Sequence, residues 1–436
     1  MSPSAIPDEL VVLLQGRIAG ILRRSTPGSH IFQYDTAWRD DPDAYALSLA
    51  LPLAARVHEG TTVTYYLRGL LPDSEPRLNA IAHRYGVPAG DPFALLAHIG
   101  EDCPGAVQFV RPERLTALEG KGPGAIKWLS EHDVANLLRD LSRENEVGGL
   151  AVSTGQFSLP GALAKAALTW DERSHRWGRP SGRAATTHIL KPPLHGLPFH
   201  NEIEHLSLEL ARHVNCPAAA SAVLRVEDQT AISVERFDRE RRGRIVVRVH
   251  QEDMSQALGV NPRLKYVAEG APGIAAVVGL LRDHALRGVD DAYAFIRAIA
   301  FNWVIAGTDA HPRNYSVLIR PRGEVSLAPL YDLASALLLK SRTRTDELPF
   351  AMSVAGRRTL GEIDRAAWEA QARQVRLNPV RVISEIDDLL RQVISRVPEV
   401  AAAGVERGVD EKFAARFASR IRSRATICAT EFGKRS

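Results

Sequence analysis

The stretch from Asp290 to Gly307 constrains the fold most, because it is apolar on every side of a predicted helix. It reads DDAYAFIRAIAFNWVIAG, and a helix with aromatic and aliphatic residues all round is buried in the core of a domain. The helix ends at Gly307, directly before a polar loop that begins with Thr308. Functional groups are commonly mounted on loops held by rigid elements. The sequence therefore predicts a buried helix that supports a functional loop.

The loop GTDAHPRNYSVL and the later segment YDLAS contain the acidic and amide groups that phosphoryl transfer requires. Asp309 is a candidate acceptor of a hydroxyl proton, and Asn314 and Asp332 are candidate ligands of Mg²⁺ on a nucleotide. An apolar, β-prone run at Tyr315 to Ile319 and a Pro/Gly turn at 321–323 predict a hairpin. Such a hairpin returns Asp332 to the neighbourhood of Asn314, and this arrangement indicates a kinase.

His311 lies two residues after Asp309 and has three interpretations. They are a histidine that hydrogen-bonds the loop, a metal ligand and a proton-transfer group, and we favour the first. A zinc or di-metal site requires further His or Cys ligands at suitable spacing, and none is evident in the sequence. Oxygen donors such as those of Asn314 and Asp332 suit a hard cation, so magnesium is predicted rather than zinc.

Length and composition predict more than one domain. With 436 residues, of which 45% are hydrophobic, the chain can bury two sizeable cores. Its formal charge of +4 is small for this length and gives weak support for nucleic-acid contact. The three cysteines, Cys103, Cys216 and Cys428, are isolated, which disfavours a disulfide framework and a zinc site. Since neither a signal peptide nor a membrane-spanning stretch is evident, we expect a soluble, cytoplasmic protein.

Short apolar runs separated by turns predict an antiparallel sheet over residues 9–70, including the run YALSLALPL at 45–53. Helices are predicted for LNAIAHRYGV and DPFALLAHIG, the second with Asp91 as its N-cap. After the linker GKGPG at 120–124, the segment EHDVANLLRDLSREN predicts another helix. These elements indicate a compact α+β module.

The next part of the chain has a loop and a strand that are candidate parts of a nucleotide site. The loop SLPGALAK supplies Ser158, Gly161 and Lys165. With a single glycine it is a weak phosphate-binding signal, and its composition favours a simple hairpin turn. The strand TTHILK ends in Lys191, which is a candidate phosphate contact.

The segment NEIEHLSLELARHV predicts a helix with Asn201 as its N-cap. Its Glu202 or Glu204 can pair with Lys191, as a strand lysine pairs with a helix glutamate in protein kinases. The alternative is a surface lysine and a solvated helix charge, and the residues alone favour that alternative.

The strand AISVERFDRE also has two interpretations. Either the backbone of residues 235–237 hydrogen-bonds an adenine edge, or this is an edge strand that enters a hairpin at the polar turn RERRGR. The chemistry of these residues does not choose between them. Beyond Gln251 the chain becomes mainly helical, and VHQEDMSQALG is predicted to begin a helix.

A series of ordered motifs carries a resemblance over the whole chain. They run from YLRGLLPDSEPRLNAIAHRYGV and LLAHIGEDCPGAVQF through FSLPGALAKAALTW, THILKPP, NEIEHL, ISVERFDR, VHQEDMSQALG and KYVAEGAPG to TDAHPRN, PLYDLAS and FAMSVAG. With these motifs the chain resembles the HipA family of bacterial toxin kinases. The resemblance implies an α+β, protein-kinase-like two-lobed fold, with an N-terminal α+β lobe of antiparallel sheets and an all-α C-terminal lobe. We expect an N-terminal module at 1–120, the remainder of the N-lobe at 121–245 and a helical C-lobe at 246–436.

The resemblance also assigns roles to residues of a site that takes ATP and Mg²⁺. It implies that Asp309 is the catalytic base and that Asn314 and Asp332 are the magnesium ligands. SLPGALAK would cover the phosphates, and the ERF segment would hold adenine. Ser158 would be autophosphorylated, which ejects the loop and silences the enzyme, since a phosphoserine adds about −1.5 to −2 charges beside bound anions. The residues expected to contact the nucleotide are Gly161, Ala162, Lys165, Lys191, Glu235, Phe237, His311, Asn314 and Asp332.

Substrate and partners follow from the same resemblance. The implied substrate is an aminoacyl-tRNA synthetase, phosphorylated on a serine or threonine so that uncharged tRNA accumulates and growth stops. The implied partner is a helix-turn-helix antitoxin that binds operator DNA, so the chain would meet DNA indirectly as a co-repressor. No membrane partner is expected.

Three residues depart from the family pattern. Leu163 and Ala164 stand where a glutamine and a polar residue usually precede the loop lysine, and Arg313 replaces a lysine. The first two remove hydrogen-bond donors, which predicts lower nucleotide affinity, and a guanidinium is not equivalent to an ammonium. Two rival functions remain: a catalytically weak ATP-binding co-repressor, and a metal-dependent hydrolase that uses Asp309, His311 and Asp332 around a water.

Overall fold

The chain folds into two compact units that alternate along the sequence. In this computed structural model the described residues are 6–25, 29–120, 124–147, 158–161, 163–194, 196–197, 199–243, 245–339 and 343–433. The first unit comprises Met1–His195, Leu224–Arg263 and Val317–Val325. The second comprises Gly196–Val223, Leu264–Ser316 and Ser326–Ser436. The boundaries expected near residues 120 and 245 stay predictions.

An antiparallel sheet opens the first unit. Within the described residues it has five strands in the order β4-β3-β2-β1-β5. They are β1 (Glu9–Leu14), β2 (Arg17–Arg24), β3 (His30–Tyr34), β4 (Val57–Glu59) and β5 (Val107–Val110). The inner strand β1, which lies between β2 and β5, buries five of its six side chains, in keeping with its apolar sequence.

The strand predicted at 45–53 is wrong. This segment is irregular and contains a single bridge between Ser48 and Leu51. Two of its backbone groups are hydrogen-bonded by a side chain and not by a neighbouring strand. The Tyr34 hydroxyl donates to the Leu51 carbonyl at 2.5 Å and accepts from the Leu47 N–H at 2.7 Å. Buried backbone groups need a partner, but that partner need not be a strand.

A second sheet, counted over the described residues, has six strands in the order β10-β11-β9-β7-β8-β6. They are β6 (Ala125–Trp128), β7 (Ala166–Asp171), β8 (Arg176–Ser181), β9 (His188–Lys191), β10 (Ser221–Val226) and β11 (Gln229–Glu235). Strand β9 pairs antiparallel with β7 and β11, with Leu190 opposite Ala166 and Ile232 opposite Lys191. Lys191 therefore ends β9 beside the start of β7.

The remaining strands of the described residues form three small sheets, in the orders β12-β13, β14-β15-β16 and β17-β18. They are β12 (Arg239–Arg242), β13 (Ile245–Arg248), β14 (His250–Asp253), β15 (Ser316–Arg320), β16 (Glu324–Leu327), β17 (Pro349–Val354) and β18 (Arg357–Thr359). Strand β12 occupies much of the predicted RERRGR turn and pairs with β13. The strands β15 and β16 neighbour each other in one sheet, so the predicted hairpin after Tyr315 is confirmed.

The helices vary widely in length. In chain order they are α1 (Thr36–Arg39), α2 (Thr61–Gly69), α3 (Glu75–Tyr85), α4 (Pro92–Ile99), α5 (Leu115–Leu118), α6 (Glu131–Val147), α7 (His200–His213), α8 (Met254–Ala257), α9 (Ile274–His284), α10 (Gly288–Ile305), α11 (Arg365–Gln374), α12 (Pro379–Glu406) and α13 (Glu411–Gly433). Asp91 caps α4 as predicted, since its carboxylate accepts the N–H groups of Phe93 and Ala94. Among the described residues, no helix combines the length and hydropathy needed to cross a bilayer.

Two helix predictions need correction. The segment 249–259 begins as strand β14 and has only the four-residue helix α8, whose N-cap Asp253 and Gln256 form a capping box. Asn201 is not a cap, because α7 begins at His200 and Phe199 precedes it, with its ring stacked on Phe413. Asn201 is instead buried in the first turn.

The second unit is built around α10, which buries 14 of its 18 residues, as its composition predicts. Helices α7, α9, α11, α12 and α13 belong to the same unit. One detail differs from an all-α lobe, since strands β17 and β18 form a two-stranded sheet within this unit. Buried Trp303 of α10 lies near Trp368 of α11 and Phe432 of α13, so aromatic side chains link three of these helices.

Candidate active site

The chain leaves α10 through a tight turn that only glycine fits. Ala306 adopts the left-handed conformation, and the Gly307 N–H donates to the Asn302 carbonyl at 2.7 Å. A Cβ added to Gly307 would lie 2.2 Å from the Asn302 side-chain oxygen. The polar loop that follows, the Asp309 loop (residues 308–314), is therefore held at a fixed distance from a buried helix.

Hydrogen bonds close the Asp309 loop on itself. The Asp309 carbonyl accepts the His311 N–H and the Asn314 side-chain amide, both at 2.8 Å. The Asn314 N–H in turn donates to the His311 carbonyl at 2.9 Å. Because the Asn314 amide nitrogen is used within the loop, its oxygen is left for another partner. An amide oxygen in this position suits a hard cation.

The Asp309 carboxylate is directed to solvent, with 70% of the side chain exposed. Its Oδ1 accepts a hydrogen bond from the Tyr266 hydroxyl at 3.0 Å and lies 4.0 Å from His311 Nε2. Burial, and then the charge of Asp309, raise the pKa of Tyr266 to about 12, so this hydroxyl stays protonated at neutral pH. Burial lowers the pKa of His311 although the Asp309 charge opposes it, which favours a neutral imidazole.

Asp332 is brought to this loop by the residues on either side of it. The Tyr331 hydroxyl donates to the Arg313 carbonyl at 2.9 Å. Further along, the Ser335 hydroxyl donates to the Ile305 carbonyl at 2.6 Å, at the end of α10. Asp332 itself has a φ of 52°, a conformation that a non-glycine residue adopts only when its surroundings impose it. The second unit thus gathers four of the predicted site residues: Asp309, His311, Asn314 and Asp332.

In the first unit, the Ser158 loop (residues 158–165, described except for Ala162) is packed against the N-terminal module. Ser158 is completely buried. Its hydroxyl donates to the Leu70 carbonyl at 2.6 Å, and its N–H donates to the Asp102 carbonyl at 3.0 Å. Gly161 forms a parallel bridge with Pro72. The Ser158 loop, whose composition alone favours a hairpin turn, is therefore held by several contacts to the N-terminal module.

A second set of contacts holds the far end of the Ser158 loop. Arg77 of α3 donates to the carbonyls of Leu163 and Lys165 at 3.0 and 3.2 Å. Its guanidinium lies 3.3 Å from Glu144 of α6 as a buried ion pair without hydrogen-bond geometry. The Ala164 N–H donates to the side chain of Asn145 at 2.8 Å. Leu163 and Ala164, the departures from the family pattern, thus contribute backbone groups to this contact.

Two buried lysines and a glycine in the first unit suit a phosphate chain. Gly161 has a φ of 110°, and a Cβ there would lie 2.5 Å from the Lys165 ammonium nitrogen. Lys191 is as deeply buried as Lys165. Glycine allows the backbone and a lysine to approach each other closely, and buried ammonium groups favour bound anions. The predicted contact Ala162 lies outside the described residues.

The predicted adenine segment, residues 235–237, begins at the last residue of β11. Glu235 is exposed at the end of this strand and pairs in register with His188, and Phe237 is half-buried. The side chain of the intervening Arg236 is buried instead, and the Arg236 backbone N–H donates to the Thr187 carbonyl at 2.9 Å. The alternation leaves Glu235 accessible for a ligand.

A buried charge network behind this segment was not predicted. Arg236 forms an ion pair with Asp238 at 2.8 Å, and Arg239 forms one with Asp102 at 2.9 Å. Burial alone would raise the pKa of Asp102, but Arg239, Arg248 and Arg236 outweigh it and hold that pKa far below its ordinary value. The charges stand next to each other in the segment ERFDR, but neither interpretation of that segment, as an adenine contact or as an edge strand, predicts a buried network.

Tyr266, Tyr331 and Arg77 also lacked a predicted role. Tyr266 lies in the motif KYVAEGAPG and Tyr331 in PLYDLAS, so both motifs marked the site without indicating what these residues contact. Arg77 reaches the Ser158 loop across 86 and 88 residues of sequence. Contacts of such separation leave no local pattern.

Comparisons with known proteins agree with this architecture. The family model described as HipA N-terminal domain matches residues 10–110, and the one described as HipA-like C-terminal domain matches residues 157–400. A Sinorhizobium fredii protein named "Putative kinase Y4mE" is 32% identical over 96% of this chain and 98% of its own length. The Shewanella oneidensis protein named serine/threonine-protein kinase toxin HipA is 26% identical over 71% of each chain.

A solved structure shows the same fold. The chain superimposes on Shewanella oneidensis HipA, in a complex with HipB and operator DNA, with a TM-score of 0.80 and 21% identity. The match covers 96% of this chain and 97% of that one. The predicted two-lobed, protein-kinase-like α+β fold is thereby confirmed. The family matches, the full-length relative and this fold together make the chain a member of the HipA family of kinases.

Proposed function

We propose that this kinase is an ATP- and Mg²⁺-dependent serine/threonine protein kinase and the toxin of a toxin-antitoxin pair. The observation that carries the proposal is the Asp309 loop, which holds an exposed carboxylate on a hydrogen-bonded turn at the end of a buried helix. To accept a proton from the hydroxyl of a protein substrate, a base must be accessible and held in a fixed position.

The residues of the second unit divide the chemical work. Asp309 accepts the proton of the substrate hydroxyl as that oxygen attacks the γ-phosphorus. The Asn314 amide oxygen and the Asp332 carboxylate hold Mg²⁺, which neutralises charge on the phosphates when it is bound. His311, buried and with Nδ1 lacking a partner among the described residues, supports the loop from inside. In this proposal His311 both supports the Asp309 loop and lies near the bound nucleotide.

The residues of the first unit hold the nucleotide in this proposal. Lys165 and Lys191 contact phosphate oxygens, and Gly161 lets the loop backbone lie against the Lys165 side chain. The backbone at Glu235 hydrogen-bonds the adenine edge while Phe237 packs on the ring. Two buried cations and a close glycine support this assignment over a simple hairpin turn.

Ser158 is proposed as the site of autophosphorylation that silences the enzyme. Its hydroxyl is buried and already bonded to the Leu70 carbonyl, so phosphorylation requires the Ser158 loop to leave its present position. A phosphoserine with about −1.5 to −2 charges has no room in a fully buried site, and the loop cannot return. We expect Ser158→Ala to keep its activity during preincubation with ATP, whereas the activity of the wild type declines.

The partners are proposed from the relatives. The fold match comes from a complex of HipA with HipB and operator DNA, which supports a small helix-turn-helix antitoxin as partner and operator DNA as an indirect one. The substrate proposed is an aminoacyl-tRNA synthetase, phosphorylated on a serine or threonine.

The test is transfer of labelled γ-phosphate from Mg·ATP to purified synthetases and to the chain itself. Label on a synthetase, and its loss in Asp309→Gln, supports the proposal. Tight ATP binding without transfer would support the weak co-repressor instead. Phosphate release without a labelled protein would support a hydrolase. Comparison of phosphoproteins in cells that express wild type and Asp309→Gln then identifies the acceptor.

A further inference from the structure

Tyr266 lies on the short segment before α9 and touches the predicted base. Its hydroxyl donates to Asp309 Oδ1 at 3.0 Å, although 39% of the residue is exposed. The backbone of this segment is held by Glu269, whose Oε2 accepts the N–H groups of Lys265 and Tyr266 at 3.3 and 3.4 Å. The Ala271 N–H also donates to the Tyr266 carbonyl at 3.2 Å. These bonds hold the backbone of Tyr266 in place, although its side chain is partly exposed.

The Tyr266 ring has a second support. It meets the His311 ring edge to face, with centroids 6.1 Å apart and planes at 69°. His311 is itself buried, and its N–H is bonded to the Asp309 carbonyl. The tyrosine ring therefore packs against one residue of the Asp309 loop while its hydroxyl bonds another. Both contacts fix the direction from which the hydroxyl meets the carboxylate.

The hydrogen bond distinguishes the two carboxylate oxygens. Oδ1 of Asp309 receives the Tyr266 hydroxyl, while within the described part of the chain Oδ2 receives no hydrogen bond. An exposed aspartate without such an anchor rotates and presents either oxygen. With one oxygen anchored, the other faces solvent in a constant position, and constant position is what a proton acceptor needs.

We propose that Tyr266 is a positioning residue that anchors Asp309 through Oδ1 and leaves Oδ2 to take the substrate proton. This rests on the proposed function of Asp309 as base. In the step served, the substrate oxygen forms a bond to the γ-phosphorus, and its proton passes to Oδ2. The bond from that phosphorus to the bridging oxygen breaks, and ADP leaves with the electron pair. Tyr266 keeps its own proton throughout.

Two variants separate the hydroxyl from the ring. Tyr266→Phe keeps the ring on His311 and removes the hydroxyl, and we expect kcat for phosphate transfer to fall about 10-fold, with KM for ATP within about 2-fold. Tyr266→Ala removes both and should be no more than a few-fold slower than Tyr266→Phe. If Phe keeps the wild-type kcat and only Ala loses it, the ring alone matters and the proposal is wrong.

A control variant and a double-mutant cycle of Tyr266 and Asp309 complete the test. Tyr293→Phe removes a different hydroxyl of the second unit, one that accepts the Asn378 N–H at 2.9 Å, and kcat should stay unchanged. In an Asp309→Asn background, Tyr266→Phe should have no further effect on the residual rate, because the hydroxyl acts through that carboxylate. A further fall there would contradict the proposal alone. Absence of any transfer by the wild type would overturn both this proposal and the proposed function.

Discussion

At the scale of single residues, bonds between side chains and backbone hold the predicted functional groups within each of the two units. The Asn314 amide bonds the Asp309 carbonyl, and the Ser158 hydroxyl bonds the Leu70 carbonyl. A main-chain partner has little freedom to move, so these contacts set the orientation of functional groups before a ligand arrives. At Gly161 the absence of a side chain has a similar effect, because it leaves room for the Lys165 ammonium group beside the loop backbone.

Gly161→Ala is expected to weaken ATP binding. The new Cβ would lie 2.5 Å from Lys165 Nζ, and a φ of 110° is strained for alanine, so the lysine and the loop must shift. A cost of about 1–2 kcal/mol corresponds to roughly 10-fold in Kd, measured by calorimetric titration with Mg·ATP. Gly60→Ala is the control, because it has a φ of 86° but no atom within 4 Å of the new Cβ. Equal weakening by both variants would contradict a specific role for the Gly161–Lys165 contact.

At the scale of elements, α3 and α6 hold the Ser158 loop through a buried ion pair. Burial lowers the pKa of Arg77 and raises that of Glu144, while the attraction between the two opposes both shifts. The pair therefore costs desolvation, and part of this cost is offset by the two carbonyls that Arg77 also binds.

Arg77→Met should destabilise the protein by about 3–5 kcal/mol, because it leaves the buried Glu144 carboxylate unpaired. The measurement is the free energy of unfolding from urea titration. Adding Glu144→Gln to this variant should restore part of the loss, since the uncompensated charge is gone. If Arg77→Met unfolds at the same urea concentration as wild type, the ion pair of Arg77 and Glu144 does not stabilise the protein.

The elements that the sequence predicted well have local signals. The helices α3, α4 and α6 and the hairpin of β15 and β16 follow from caps, periodicity and turn residues within a few positions. The wrong predictions concern segments whose backbone is held by a side chain distant in sequence. In the segment at 45–53, for example, the Tyr34 hydroxyl makes hydrogen bonds that a neighbouring strand would otherwise make. Phe199, stacked on Phe413, likewise displaced the predicted cap Asn201.

The same distinction applies to the site. The Asp309 loop was predictable, because its acid, amide and glycine lie within a few residues of each other. Arg77 and Tyr266 were not, since each reaches its partner across more than forty residues of chain. Both residues lie in motifs that carry the family resemblance, but only the three-dimensional structure shows which groups they contact.

At the scale of the whole molecule, a buried acid links pH to stability. Glu252 of β14 is completely buried, and its Oε1 accepts the Leu49 N–H at 2.8 Å. Burial raises its pKa from the ordinary 4.5 to about 8. The folded state therefore prefers the protonated acid. Its contribution to stability is full below the ordinary pKa and is lost as pH rises through about 8.

Glu252→Gln should remove this dependence, because glutamine keeps an oxygen for Leu49 and does not ionise. We expect the free energy of unfolding of wild type to fall relative to the variant as pH rises from 4.5 to about 8. The difference should reach a few kcal/mol, since one pKa unit corresponds to about 1.4 kcal/mol. Urea titrations at several pH values measure it.

Exposed Glu227 provides the control for this pH series. Its pKa is lowered by the hydrogen bond from Arg139, so Glu227→Gln should lose stability relative to wild type above the ordinary pKa, and this difference should shrink on acidification. Parallel pH profiles for wild type and Glu252→Gln would show that Glu252 is not held protonated in the folded protein.

The most direct test of the account compares ATP binding and phosphate transfer in wild type and Asp309→Asn. Asparagine keeps the shape of the side chain and removes the proton acceptor. We predict that Asp309→Asn binds Mg·ATP with an affinity close to that of wild type and transfers phosphate about 100-fold or more slowly. Transfer at the wild-type rate by Asp309→Asn would contradict the assignment of this loop as the catalytic centre.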